Sequence, residues 1–122
     1  MDARYVFAVR FRLDPEYGVR VDPETFETRM QRVAAEPGEP GWLFFRDNLW
    51  RGDIGDPGHF RELTEDALAV DVDSVEYRAF ETDREYYDAL KAEIGANLDL
   101  FKADSAADVL NKYLGSSVEV QD

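Results

Sequence analysis

Residues 4–13, Arg-Tyr-Val-Phe-Ala-Val-Arg-Phe-Arg-Leu, constrain this chain more than any other stretch, because they alternate without a break. Tyr5, Phe7, Val9, Phe11 and Leu13 fall on one face of an extended chain, and Arg4, Val6, Ala8, Arg10 and Arg12 on the other. A run of period two does not settle as a helix, so the chain must build a sheet and cover its aromatic face. The turn residues Asp14-Pro15 to Gly18 follow, and Val19-Arg20-Val21 extends or edges the same sheet.

Helices alternate with further strands downstream. Asp22-Pro23-Glu24 combines an N-cap, a proline at the first helical position and an acid in the first turn. Phe26, Met30, Val33 and Ala34 then recur at helical spacing, until Pro37-Gly38-Glu39-Pro40-Gly41 ends the helix. Trp42 to Arg46 and Leu49 to Ile54 read as two strands joined by Asp47-Asn48, with Leu43, Phe45, Trp50 and Ile54 pointing one way. Trp42, Phe44, Arg46, Leu49, Arg51 and Asp53 point the other. Asp56-Pro57 starts a second helix carrying Phe60, Leu63, Ala67 and Leu68, and Val75, Tyr77 and Ala79 mark a fourth strand. Thr82 with Glu85 opens a third helix bearing Tyr86, Leu90 and Ile94. Ser105 with Asp108 opens a fourth bearing Val109, Leu110, Tyr113 and Leu114, stopped at Gly115, and Val118 and Val120 suit a short edge strand. The expected fold is α+β: one domain over 1–122, a ferredoxin-like β-α-β-β-α-β sandwich with two additional C-terminal helices.

Charge sets the environment. Twenty-seven acidic residues oppose fourteen basic ones, a formal −13, and only Lys91, Lys102 and Lys112 are lysines. Such a surface repels itself in dilute buffer, and molar salt shortens the screening length to roughly 3 Å. A carboxylate-rich, lysine-poor domain therefore reads as built for a salty cytoplasm. The excess lies in the second half: residues 1–61 hold nine basic and eleven acidic groups, residues 62–122 five and sixteen. Exposed helices in that half account for it. With no cysteine there is no disulfide, thiolate or iron–sulfur chemistry, and no apolar stretch approaches the roughly 20 residues of a membrane span. The start, Met1-Asp2-Ala3-Arg4, has no apolar signal core, which points to the cytoplasm.

Phe44-Phe45-Arg46-Asp47-Asn48-Leu49-Trp50-Arg51-Gly52 resembles the central motif of the LWR-salt family of haloarchaea. Phe11-Arg12-Leu13-Asp14-Pro15 and Lys112-Tyr113-Leu114-Gly115-Ser116-Ser117 resemble flanking segments of the same family. The resemblance supports the salt reading and assigns no active site.

A search for chemistry returns little. No phosphate-binding glycine loop is present, and the sole histidine, His59, sits at a helix start without an identifiable partner. Asp47, Asp53 and Asp56 offer oxygen ligands, but their order is not that of a calcium loop, so turn and cap roles are expected, with no metal and no cofactor. One constellation stands out. Arg10, Arg12, Trp42, Phe44, Arg46, Arg51 and Arg78 would share an open sheet face. Arginine and aromatics on a sheet serve protein interfaces, and also single-stranded nucleic acid. Salt weakens phosphate contacts steeply, which favours a protein partner or a homodimer over nucleic acid. One alternative is an enzyme pocket between the sheet and the C-terminal helices, with Arg51 or Arg78 holding an anion and Asp47 or Asp53 as acid/base. The other is purely architectural: the C-terminal helices cover the face, Glu76, Asp88 or Glu93 pair with its arginines, Trp50 lies in the core and Arg51 clamps an acid.

Overall fold

In the computed structural model, which describes residues 1–13 and 25–121, the alternating N-terminal segment is strand β1 (Ala3–Arg12). The expected turn at 14–18, the segment Val19-Arg20-Val21 and the Asp22-Pro23-Glu24 helix start lie outside the described residues. β1 pairs antiparallel on one side with β2 (Thr25–Val33) and on the other with β5 (Asp71–Asp83). β6 (Val118–Gln121) joins β5 in parallel, so the main sheet has the order β2-β1-β5-β6.

The segment expected as the first helix is therefore β2. A spacing of four, as in Phe26, Met30 and Ala34, satisfies a period of two as well as one of 3.6. The neighbour decides. β1 offers an aromatic face that needs covering, and β2 places Phe26 stacked on Phe11 (centroids 5.6 Å apart) and Met30 opposite Phe7. The described chain thus begins strand–strand, and it does not follow the expected β-α-β-β-α-β order.

The expected Trp42–Ile54 hairpin is also rearranged. Phe44–Asn48 forms a short helix, α1, fastened by a hydrogen bond from the Asn48 side-chain amide to the Phe44 carbonyl (3.0 Å). A strand would send the neighbours Phe44 and Phe45 to opposite faces. The helix lets both reach the core: Phe44 packs on Tyr5 (4.6 Å) and Phe45 stacks on Phe101 (5.7 Å). The hairpin survives in miniature as β3 (Leu49–Trp50) and β4 (Asp53–Ile54), and its turn is Arg51-Gly52 rather than Asp47-Asn48.

The later elements follow their caps. The Asp56 carboxylate accepts the His59 N–H (3.2 Å) at the start of α2 (Pro57–Leu68). α3 (Arg84–Ala96) is capped by Asp83, one residue later than the Thr82–Glu85 box implies, because the Asp83 carboxylate accepts the Tyr86 N–H (2.7 Å) while Thr82 is buried. A 3-10 turn at Leu98–Leu100 leads to α4 (Ala106–Tyr113), where the Ser105 hydroxyl accepts the Asp108 N–H. The buried apolar residues of α1, α2, α3 and α4 all join one cluster with Ala3, Tyr5 and Phe7. The fold is α+β, with every described helix on one side of a mixed four-stranded sheet.

Three buried phenols tie that core to pH. Burial pushes the Tyr77 and Tyr86 hydroxyls up to about 12, and Tyr5 upward as well. The unfolded phenol ionises near ~10, so folding favours the neutral form. Its contribution is complete below that pH and is lost as pH rises towards 12. Melting temperature in molar KCl should hold level to about pH 9.5 and fall between about 10 and 12, with tyrosinate absorbance appearing as ellipticity is lost. Ionisation of all tyrosines near pH 10 with circular dichroism unchanged would contradict this packing.

Candidate functional site

The seven arginines and aromatics expected on one face divide between two. Alternation places Arg10 and Arg12 on the side of β1 away from the helices, with Val6 and Ala8. Arg78 reaches the same side from a bulge. Val6 pairs with Ala79 and Phe7 with Tyr77, so Arg78 is the extra residue on β5. Trp42, Phe44, Arg46 and Arg51 lie on the helix side. Trp42 meets Phe45 and Phe101 edge-on, and Phe44 packs on Tyr5 and Phe60. Arg46 bonds its neighbour Asp47 (2.9 Å) and reaches the Leu100 carbonyl. The cause is the short helix α1: it withdraws these side chains from the sheet on which a hairpin would have displayed them.

The far face of the sheet has a small apolar floor inside a charged rim. Val6, Ala8 and Ala79 are buried, yet they stand apart from the helix-side cluster. Around them, the Arg4 Nε donates to Glu81 (2.8 Å), Arg12 pairs with Asp73 (3.2 Å) and Arg78 with Glu76 (2.8 Å). Arg10 and Arg29 make no ion pair among the described residues. Ala8, Glu27, Arg29 and Arg78 border a shallow depression between β1, β2 and the bulge. Glu76 does pair with an arginine of this face; Asp88 and Glu93 belong to α3 on the opposite side. Sequence reasoning missed Glu27 and Arg29, since they fall in the stretch with helical spacing. The alternation of Phe26, Thr28 and Met30 was the available signal.

The Leu-Trp-Arg tripeptide has a different task from the one expected. Leu49 is the core residue, Trp50 is 44% exposed, and Arg51 clamps no acid among the described residues. Arg51 (φ 53°) and Gly52 (φ 80°) form a tight turn with left-handed backbone at both positions. Their amides donate to the carbonyls of Lys112 (2.7 Å) and Tyr113 (3.0 Å), satisfying groups that the end of α4 leaves unpaired. Trp50 meets Tyr113 edge-on at 5.5 Å, and the Arg51 guanidinium lies 5.7 Å from the Trp50 ring. The two glycines make the approach possible. A Cβ on Gly52 would sit 3.2 Å from the Leu114 carbonyl oxygen, and one on Gly115 (φ 58°) 3.4 Å from the Arg51 backbone. Beyond Gly115, the Ser117 hydroxyl shares a hydrogen bond with Tyr77 (2.8 Å). The two sequence motifs are the two halves of one clasp.

Of the groups named for an enzyme pocket, Arg51 and Arg78 occupy opposite sides of the sheet and Asp47 is held by Arg46, while Arg51 and Asp53 flank Gly52 at the exposed hairpin tip. Asp56 is committed to its cap. His59 offers only its backbone amide to that cap. A groove with apolar walls runs between β2 and α2, bordered by Met30, Phe44, Phe60 and Leu63, with the Arg32 guanidinium 4.5 Å from the Phe44 ring. No helix of the described residues is long and apolar enough to cross a membrane.

The class of protein is thus an α+β domain whose helices cover one sheet face and whose signature tripeptide clasps a helix end. The family model described as LWR-salt protein matches residues 1–122, and the chain belongs to that family. No curated protein and no solved structure matches it.

The clasp predicts an inverted mutational pattern. Gly52→Ala should cost about 1–3 kcal/mol through left-handed backbone and contact with Leu114. Arg51→Ala should change stability by less than about 0.5 kcal/mol, because its contribution is made by the backbone. Chemical denaturation in molar KCl measures both, and a larger loss for Arg51→Ala than for Gly52→Ala would contradict the assignment.

Proposed function

We propose that this chain is a non-catalytic interaction module of a salty cytoplasm, and that the sheet face free of described helices is the surface that meets a protein partner. The carrying observation is one-sidedness: the buried residues of all four described helices face the same way, while Val6, Ala8 and Ala79 lie on the other side among arginines. A small apolar floor with an arginine rim matches the composition of protein interfaces, where arginine is enriched and charges are kept from the centre.

Salt and charge both favour protein over nucleic acid. Glu27, Glu76 and Glu81 stand on this face beside the arginines, giving mixed rather than cationic potential. The aromatic side chains that would stack on bases, Trp42 and Phe44, belong to the helix side. Short-range packing survives molar salt, whereas phosphate attraction does not. Exposed carboxylates such as Glu62, Asp66, Glu85 and Asp88 cover the outer surfaces of the helices. They contribute to the repulsion that salt must mute.

A photo-crosslinking residue tests the surface. Replacing Arg10 or Arg78 with benzoylphenylalanine should yield a discrete heavier adduct in a salty lysate, and Lys91 on α3 should not. Adducts from Lys91 alone would move the contact to the helices and overturn the reading. The environment has its own test. The melting temperature should climb steadily from about 0.1 M to about 3 M KCl as screening shortens, and a flat profile would remove the salt requirement while leaving the contact surface standing.

A further inference from the structure

Among the described residues, β2 and β6 are the two edges of the main sheet, and they are unlike. β6 is four residues long, a length that offers little to a visitor. β2 is nine residues long, carries no proline or lysine, and runs against β1 without a bulge. Such an edge is an open template for another strand unless it is protected. Its charges do not protect it, since Glu27 and Arg29 are of opposite sign.

The direction of the backbone groups can be read from the ladder. The Ala34 amide donates to the Ala3 carbonyl (2.9 Å), and the register runs on through Tyr5–Arg32, Phe7–Met30 and Val9–Thr28. In an antiparallel ladder, hydrogen-bonded pairs recur at every second residue. Phe26, Thr28, Met30 and Arg32 therefore turn their backbone groups towards β1. Thr25, Glu27, Arg29, Gln31 and Val33 turn theirs outwards, away from the sheet.

We propose that β2 pairs antiparallel with β2 of a second copy about a two-fold axis at Thr28. This uses the edge, so it stands independently of what the open face binds. Three arrangements overlap most of the strand and bring outward backbone groups together. An axis at Met30 sets Glu27 against Val33 and Arg29 against Gln31, and so forms no opposite-charge pair. An axis at Arg29 sets Arg29 against its own mate, a like-charge pair that disfavours pairing. An axis at Thr28 sets Glu27 opposite Arg29 of the second copy twice over, Gln31 opposite Thr25, and, on the helix side, Phe26 opposite Met30. Every side chain in that register finds a compatible partner, which is what a self-complementary interface requires. The outward amides and carbonyls of Glu27, Arg29, Gln31 and Thr25 are satisfied in the same step. The two sheets of four strands merge into one of eight. Because the axis is perpendicular to the sheet, both arginine faces lie on the same side as one continuous surface. Two copies of a −13 chain repel each other, so the dimer gains as salt rises.

The absence of native cysteine makes the register directly testable. At a non-hydrogen-bonded antiparallel pair the Cα atoms are about 4.5 Å apart, within disulfide reach. Under mild oxidation in about 2 M KCl, Thr28→Cys should give a covalent dimer as the major species on a non-reducing gel, and Gln31→Cys should stay largely monomeric. Arg29→Cys as the efficient cross-linker would overturn the register. Light scattering on the unmodified chain keeps the test independent of any variant: growth of a dimer with concentration and salt supports the proposal, and a monomer throughout overturns it. Gln31→Pro removes an outward N–H and spares the β1 ladder, so it should abolish the dimer with circular dichroism unchanged. Retention of the dimer in that variant would place the contact elsewhere.

Discussion

The packing of β1 between two antiparallel neighbours is the interaction on which the rest of the molecule depends. Its side chains are buried on both faces from Tyr5 to Val9, so it behaves as the spine of the domain. One face carries Tyr5 and Phe7, large rings that meet Phe44, Phe60, Tyr77 and Phe80. The other carries Val6 and Ala8, buried beside the Arg4–Glu81 and Arg78–Glu76 pairs. The alternation therefore does more than specify a strand. It assigns every described helix to one side and sets arginines around what remains.

Much of this was legible in residues taken singly. The β1 alternation, the α2 cap at Asp56-Pro57, the apolar face Tyr86, Leu90 and Ile94, and the Ser105 cap each carry a local signal that agrees with the final environment. β2 was illegible because Phe26, Met30 and Ala34 are spaced by four, a multiple of both periods. The choice between them rests on a partner strand distant in sequence. α1 was illegible for a related reason: strings of aromatics suit strands, and only the positions of Tyr5, Phe60 and Phe101 reveal that adjacent phenylalanines must point into one core. The candidate surface was half legible. Arg10, Arg12 and Arg78 follow from strand alternation and one bulge, while Trp42, Phe44, Arg46 and Arg51 were assigned through a hairpin that is partly a helix.

The family's signature acquires a physical meaning in the clasp. A tryptophan and an arginine side by side invite a binding role, yet the indispensable features here are the backbone at Arg51-Gly52 and the room left by Gly115. α4 ends without donors for its last carbonyls, and the amides of the hairpin tip supply them. This fixes the C-terminal segment so that Ser117 can bond Tyr77 and β6 can align on β5. The motif holds the fold closed. The proposed contact surface is the side of the sheet that the motif never touches.

On this reading, described helices confined to one side leave a sheet face and the β2 edge for a second protein. Residue-resolved amide hydrogen exchange in molar KCl, at low and high protein concentration, is the decisive measurement. Exchange should be slow throughout at Phe26, Thr28 and Met30, whose amides are bonded to β1. Glu27, Arg29 and Gln31 should exchange fast when dilute and slowly when concentrated. Slow exchange at those three in a chain shown by scattering to be monomeric would mean the edge is already covered, and would contradict the claim.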